Sequence, residues 1–199
     1  MTNIAVVIPV GPRAVHAKWL VDCVQSVIDQ TVGPSAVVIV DDMHGHCVEF
    51  EQVDDLLFRA GINRMVYLPP WRLGVATAFN AGCSIALATG ADLAVMLGAD
   101  DMLGPRALGH LKVCYEAERG RDGFYWFEVQ YDTGEQQSLP CNGAAVTAGF
   151  MRATGGLPVE ASLGGMDGAL VSEMLVHNPN SLIRVPGDDG SRYFVRQHP

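Results

Sequence analysis

The sequence predicts one α/β domain: a mostly parallel central sheet with helices on both faces and a small mixed β extension. Three observations predict it. Apolar strand-like runs alternate with amphipathic helical stretches from residue 4 to about 118. Several runs stop abruptly at Pro, Gly or Asp, as strands buried in a parallel sheet do. After residue 120 the pattern turns to short aromatic segments and Gly-rich turns. The 199 residues fit a single domain, and 49% hydrophobic with 18% charged residues supply a core and argue against disorder. Residues 1–119 and 120–199 form two halves, with no linker-like stretch between them and no internal repeat.

The elements follow in order. Ile4 to Val10 is a β-branched run closed by Gly11, a central strand. His16 to Gln30 places Trp19, Leu20, Cys23, Val24, Val27 and Ile28 on one helical face. Ala36 to Val40 is a second strand, ending in Asp41 and Asp42. Glu49 to Ala60 is an amphipathic helix closed by Gly61. Arg64 to Leu68 is a short third strand before Pro69 and Pro70. Val75 to Ala88 is an alanine-rich helix ended by Gly90, and Leu93 to Leu97 is a fourth buried strand running into Gly98-Ala99-Asp100-Asp101. Pro105 opens a helix to about Glu118. Phe124 to Tyr131 predicts one aromatic strand, a turn at Thr133-Gly134 and another short strand. Asn142 to Ala153 predicts a partial helix, Met166 to His177 a full one, and Ser181 to Pro186 and Arg192 to Arg196 two last strands.

Composition removes several function classes. The net charge of −9 and the lack of any Lys/Arg run disfavour nucleic acid, which needs a basic face, although a local groove stays open. Five widely spaced cysteines without C-x-x-C fit neither a zinc site nor a disulfide framework. Cys23, Cys83 and Cys114 lie in apolar patterns as core thiols, which points to a reducing, cytoplasmic compartment. No apolar run reaches membrane-span length, and the first ten residues read as a strand rather than a leader. No strand is followed by G-x-G-x-x-G or G-x-x-x-x-G-K-S/T, against a dinucleotide or P-loop site.

Ligands of open parallel sheets bind beyond the carboxyl ends of strands. Two acidic pairs fall there, Asp41-Asp42 and Asp100-Asp101. A charge after a buried strand must be solvated, paired or metal-bound. Mg2+ and Mn2+ take carboxylates together with phosphate oxygens, so a diphosphate and a cation would suit these residues. The bland alternative is that they cap helices or fill turns.

The order of these pieces resembles the inverting glycosyltransferases of the GT-A fold, specifically the family 2 group. That family's V-I-P is here Val7-Ile8-Pro9, and its V-D-D is Val40-Asp41-Asp42. Its G…N-x-G segment is Gly74, Asn80 and Gly82. Its D-x-D-D and Pro-initiated helix are Gly98-Ala99-Asp100-Asp101 and Pro105. The resemblance implies a GT-A-like domain and transfer of a hexose-like sugar from a nucleoside-diphosphate sugar, UDP-sugar favoured, to an acceptor hydroxyl.

It also implies roles. Asp41 would bond the nucleobase beside the Pro9 and Val10 backbone, Arg72 would touch base or phosphate, and Asn80 would lie near the nucleotide. Asp100 would hold Mn2+ or Mg2+ and the donor, with Asp101 supporting the metal or touching the sugar. Asp167, in Gly165-Met166-Asp167 where the family has E-D after G-G-F, would be the catalytic base, a role worth ~10²–10⁴-fold. His198 in Arg196-Gln197-His198 would complete the metal shell or contact phosphate. Each role has a plain structural counterpart: an exposed loop cation for Arg72, a backbone-bonding helix residue for Asn80, a helix N-terminal carboxylate for Asp167, a terminal histidine for His198. His44 and His46 read as a solvated loop, and Trp71 as a stacking or loop-anchoring aromatic.

Two departures stand out. Gly98 replaces the first acid of D-x-D-D, and Phe79 replaces an Arg before the Asn. Ribose recognition must therefore come from elsewhere. Two alternatives stay open: a sugar-1-phosphate nucleotidyltransferase, with Gly11-Pro12-Arg13 and Lys18 as a faint loop signature, or a non-catalytic nucleotide-sugar-binding module. The acceptor is not written in the sequence, and a homodimer could complete a minimal acceptor half.

Overall fold

The computed structural model describes residues 2–12, 14–42, 48–137, 143–158 and 179–196. A seven-stranded sheet runs through its centre. In chain order its first strands are β1 (Ile4–Val10), β2 (Ala36–Asp41), β3 (Asn63–Tyr67) and β4 (Leu93–Met96), all parallel where they pair. Every residue of β1, β2 and β4 is buried. That is why these strands read as unbroken apolar runs rather than as alternation.

Helices cover both faces. α1 (Ala14–Ile28), α2 (Val48–Arg59) and α4 (Ala107–Ala117) bury Leu20, Val24, Leu57 and Leu111 in one core with Val6 and Ile8. α3 (Val75–Ala88) and α5 (Ala148–Thr154) bury Phe79, Cys83 and Phe150 in the other with Val7 and Val38. Each fully buried Val, Leu or Ile contributes about 1.5–3 kcal/mol. Small residues let α3 lie close to the sheet. A Cβ on Gly82 would overlap Val7, so this glycine sets the helix–strand spacing. Cys23, Cys83 and Cys114 are buried free thiols.

The later elements depart from expectation in two places. The Phe124 to Tyr131 segment is not one strand. It divides into β6 (Phe124–Trp126) and β7 (Val129–Tyr131), which belong to different sheets. Phe127 between them is buried in the core, and its N–H bonds Gly143 at 3.1 Å. Secondly, Ala144–Val146 is a strand, β9, not helix. It lies antiparallel between β4 and β6, and all three residues are buried. Pairing on both sides overrides alanine's helical preference. The helix begins only at Ala148, where Thr147 caps it by accepting the Phe150 N–H at 3.2 Å.

β10 (Leu182–Arg184) completes the large sheet beside β6. A second sheet has the order β5 (Met102–Leu103), β11 (Tyr193–Val195), β7, β8 (Gln136–Gln137). It mixes parallel and antiparallel pairs, as the predicted small β extension requires. The helix predicted over Met166 to His177 lies outside the described residues. No helix among the described residues is long and apolar enough to cross a membrane.

Candidate functional site

Parallel pairing puts the carboxyl ends of β1, β2 and β4 on one edge. A cavity of about 300 Å³ opens there. Its wall includes Pro9, Gly11 and Pro12 after β1, His16 of α1, Asp42 after β2, Arg72 and Gly74 before α3, and Ala99 and Asp100 after β4. Of the predicted donor residues, Pro9, Arg72 and Asp100 meet in this wall.

The two members of each acidic pair behave differently. Asp41 ends β2 opposite Val10 in register, and both are buried in the sheet. Asp42 reaches the cavity. Its carboxylate accepts the Leu73 N–H at 2.5 Å and the Gly74 N–H at 2.9 Å. It thereby ties the Arg72 segment to the strand end. Asp100 faces the cavity, whereas Asp101 turns to the second sheet. Its Oδ2 accepts the Tyr193 hydroxyl at 2.8 Å, and its Oδ1 the Arg196 N–H at 3.2 Å.

Tyr193 also accepts the Gly98 N–H at 2.9 Å. The phenol therefore links the two ends of the turn. Burial first, and the Asp101 charge second, hold the Tyr193 hydroxyl well above its ordinary pKa, so it stays protonated as a donor. Burial likewise raises the Cys23 thiol beneath the turn, helped by Asp101 and Asp100, and its Sγ lies 3.3 Å from the Gly98 carbonyl. Tyr193→Phe leaves one buried N–H and one carboxylate oxygen short of a partner. It should destabilise the fold by about 1–3 kcal/mol, read as a lower urea midpoint with an unchanged slope.

Asn80, expected near the nucleotide, has its side chain engaged with a later segment of the chain. Its side chain donates to the Leu157 carbonyl at 2.9 Å and accepts the Leu157 N–H at 2.7 Å. It clamps the Gly155-Gly156-Leu157 segment onto α3, and the cavity wall described above does not include it. Trp71 is 67% exposed beside Arg72. Asp167, His198, His44 and His46 lie outside the described residues. Two residues of the site, His16 and Tyr193, escaped the sequence reading, which placed Asp42 at the strand end without its backbone partners. His16 carried one signal, its place just beyond the end of β1. The roles of Asp42 and Tyr193 depend on partners far along the chain and carried none.

A divalent cation fits the donor chemistry here in one way. Among the described residues no group of three His, Cys, Asp or Glu is placed to hold a metal. Asp42 and Asp101 each have hydrogen-bond donors on both oxygens, and Asp100 is the second carboxylate in the cavity wall beside Asp42. Mg2+ and Mn2+ accept such a set, one or two carboxylates with substrate phosphate oxygens and waters.

No protein-family profile and no curated protein sequence matches the chain. Solved structures do. S. aureus TarS 1–349 in complex with UDP-GlcNAc superposes with a TM-score of 0.75 at 12% identity, over 100% of this chain and 59% of that one. The same protein with UDP gives 0.75 at 13% identity, over 100% of this chain and 61% of that one. Mannosyltransferase PcManGT from Pyrobaculum calidifontis, in complex with GDP-Man and Mn2+, gives 0.65 at 14% identity, over 97% and 56%. The chain has the GT-A fold of these glycosyltransferases. It spans 56–61% of the length of these three structures.

Proposed function

We propose that this chain is a glycosyltransferase that moves a hexose-like sugar from a nucleoside-diphosphate sugar, UDP-sugar favoured, to an acceptor hydroxyl with inversion. One observation carries the reading: Arg72 and Asp100 line a single cavity at the carboxyl edge of a GT-A sheet. An Arg and a carboxylate across one cavity suit a diphosphate and its cation. In this reading residues 1–119 bind the donor and residues 120–199 face the acceptor. Pro9, Val10 and Asp41 flank the base, Arg72 takes phosphate, and Asn80 shapes the site through its hold on Leu157. Asp100 would hold Mn2+ or Mg2+, Asp101 buttresses the turn, and His198 would add to the metal or phosphate shell. When bound, the cation would supply Lewis-acid stabilisation of charge on the departing diphosphate. Asp167 takes the acceptor hydroxyl proton as that oxygen bonds the anomeric carbon. The anomeric carbon–phosphate oxygen bond breaks, and its electron pair leaves with the nucleoside diphosphate. The buried thiols support a reducing, cytoplasmic setting.

Thermal unfolding with nucleoside diphosphates and their sugars, with and without Mn2+, tests the donor half. A ligand at 100 times its Kd should stabilise by about 2.7 kcal/mol. Asp100→Asn should remove the extra stabilisation that Mn2+ gives UDP and spare the metal-free part. No response of the wild-type chain to any nucleoside diphosphate would sink the reading. Pyrophosphate release from a nucleoside triphosphate and a sugar phosphate would replace it with nucleotidyl transfer. Donor binding without any transfer or slow hydrolysis would replace it with a binding module.

A further inference from the structure

Among the described residues four polar side chains stand in the wall of the cavity at the carboxyl edge: His16, Asp42, Arg72 and Asp100. Asp42 is taken up by the Leu73 and Gly74 N–H groups. Arg72 and Asp100 suit the diphosphate and its cation. His16 has no part in those contacts. Its Nδ1 is buried without a hydrogen-bond partner. A proton on that nitrogen would make an orphaned buried N–H, which proteins avoid more strictly than an unpaired acceptor. The neutral ring therefore carries its proton on Nε2. His16 as a whole is half-buried and borders the cavity, so Nε2–H is the donor that opens to it.

Gly11 sets the place of this ring. A Cβ on Gly11 would lie 2.8 Å from His16 Nδ1 and 3.0 Å from Cε1, so the imidazole edge rests where any larger residue would press on it. Gly11 follows β1, and β1 lies between β4 and β2 in the sheet. The ring thus packs at the end of the middle strand of three. Asp41 ends β2 on one side, and Asp100 follows β4 on the other. Adjacent strands are about 4.8 Å apart, so the two outer strands are roughly 10 Å apart. A nucleotide with its base at the β2 end and its cation-bound phosphates at Asp100 spans this gap, and the ribose is the part between. Gly98, at the β4 end, has no side chain to offer that ribose.

We propose that His16 is the residue that recognises the ribose, its Nε2–H donating to the 2′- or 3′-hydroxyl of the donor nucleotide. This rests on the donor reading and adds to it the group that selects a ribonucleotide. The Nδ1 edge, closed off against Gly11, fixes the tautomer, and the cavity edge of the ring makes the contact.

Calorimetric titration with UDP, 2′-deoxy-UDP, 3′-deoxy-UDP and 2′,3′-dideoxy-UDP in the presence of Mn2+ tests this. The wild-type chain should bind UDP about fivefold more tightly than at least one of the monodeoxy nucleotides, the worth of one hydrogen bond. His16→Ala and His16→Leu should each lose that preference. His16→Gln, whose amide nitrogen takes the place of Nε2, should keep part of it. All four proteins should bind dideoxy-UDP alike, which also shows that the variants fold. Three results overturn the proposal and leave the donor reading intact. The wild-type chain binds UDP without preferring either hydroxyl, or the alanine and leucine variants keep the preference, or they weaken UDP and dideoxy-UDP by the same factor. The last would assign the imidazole to base or phosphate. Absence of UDP binding to the wild-type chain overturns the UDP-donor reading and the ribose contact with it.

Discussion

Asp42→Ala should destabilise the protein by about 3–5 kcal/mol, a large part of the 5–15 kcal/mol that holds a domain folded. Asp42 is 3% exposed, and its carboxylate accepts two backbone N–H groups, from Leu73 and Gly74. A hydrogen bond to a charged group is worth about 1.5–3 kcal/mol, and alanine replaces neither. The main chain of Asp42 is separately held, since its N–H bonds Val10 at 2.9 Å. The loss should therefore fall on the segment that carries Arg72 and on the first turn of α3, not on the sheet. Gly74 precedes that turn at φ 78°, in the left-handed region that glycine adopts without strain, so the segment has a specific geometry to keep. Urea unfolding should show a lower midpoint, and the melting temperature should fall by about 10 °C. Asp42→Asn should show roughly half the loss: its oxygen still accepts one N–H, while its NH2 faces the other donor. A loss below about 1 kcal/mol for the alanine variant would mean that the two N–H groups have other partners or water.

The same carboxylate shows where sequence reading stops. Hydrophobic continuity located β1, β2, β4 and α3 to within a residue or so, because burial on two sides leaves an unbroken run. It also put Asp41 and Asp42 at a strand end. It could not say which of them turns into the cavity, since that depends on where the last β2 pair, Val10 with Asp41, closes. Long-range partners were equally hidden. Asn80 and Leu157 are 77 positions apart, and Tyr193 and Asp101 are 92 apart. Nothing local to either residue encodes such a pair. Phe124 to Tyr131 carried a continuous aromatic signal across a change of sheet, because an apolar pattern records burial and not the identity of the partner strand. Ala144–Val146 failed for the converse reason: alanine's local preference is weak beside two flanking strands.

Gly98→Asp should weaken the protein rather than repair it, although the family 2 pattern has an acid at this place. A Cβ on Gly98 would lie 2.6 Å from Asp101 Oδ2 and 3.1 Å from Asp100 Oδ1. The backbone cannot move aside cheaply. The Gly98 N–H is bonded to Tyr193, and its carbonyl accepts from the Asp101 N–H at 3.0 Å and from the Cys23 thiol. Nor can Asp101 yield without breaking its bonds to Tyr193 and Arg196. Overpacking of this kind costs about 1–3 kcal/mol, which is the effect expected of Gly98→Ala. The aspartate adds a third carboxylate to a turn that already holds two, so about 3–5 kcal/mol is expected, and under the proposed function Mn2+-dependent UDP binding should be lost as well. A double-mutant cycle separates this account from a general intolerance of the loop. Tyr193→Phe releases Asp101 Oδ2, so Gly98→Ala should cost less in that background than in the wild-type chain, by about 0.5 kcal/mol or more. Strict additivity would show that Asp101 does not oppose a side chain at position 98. The glycine would then mark a ligand's approach rather than the room that the Tyr193–Asp101 bond needs.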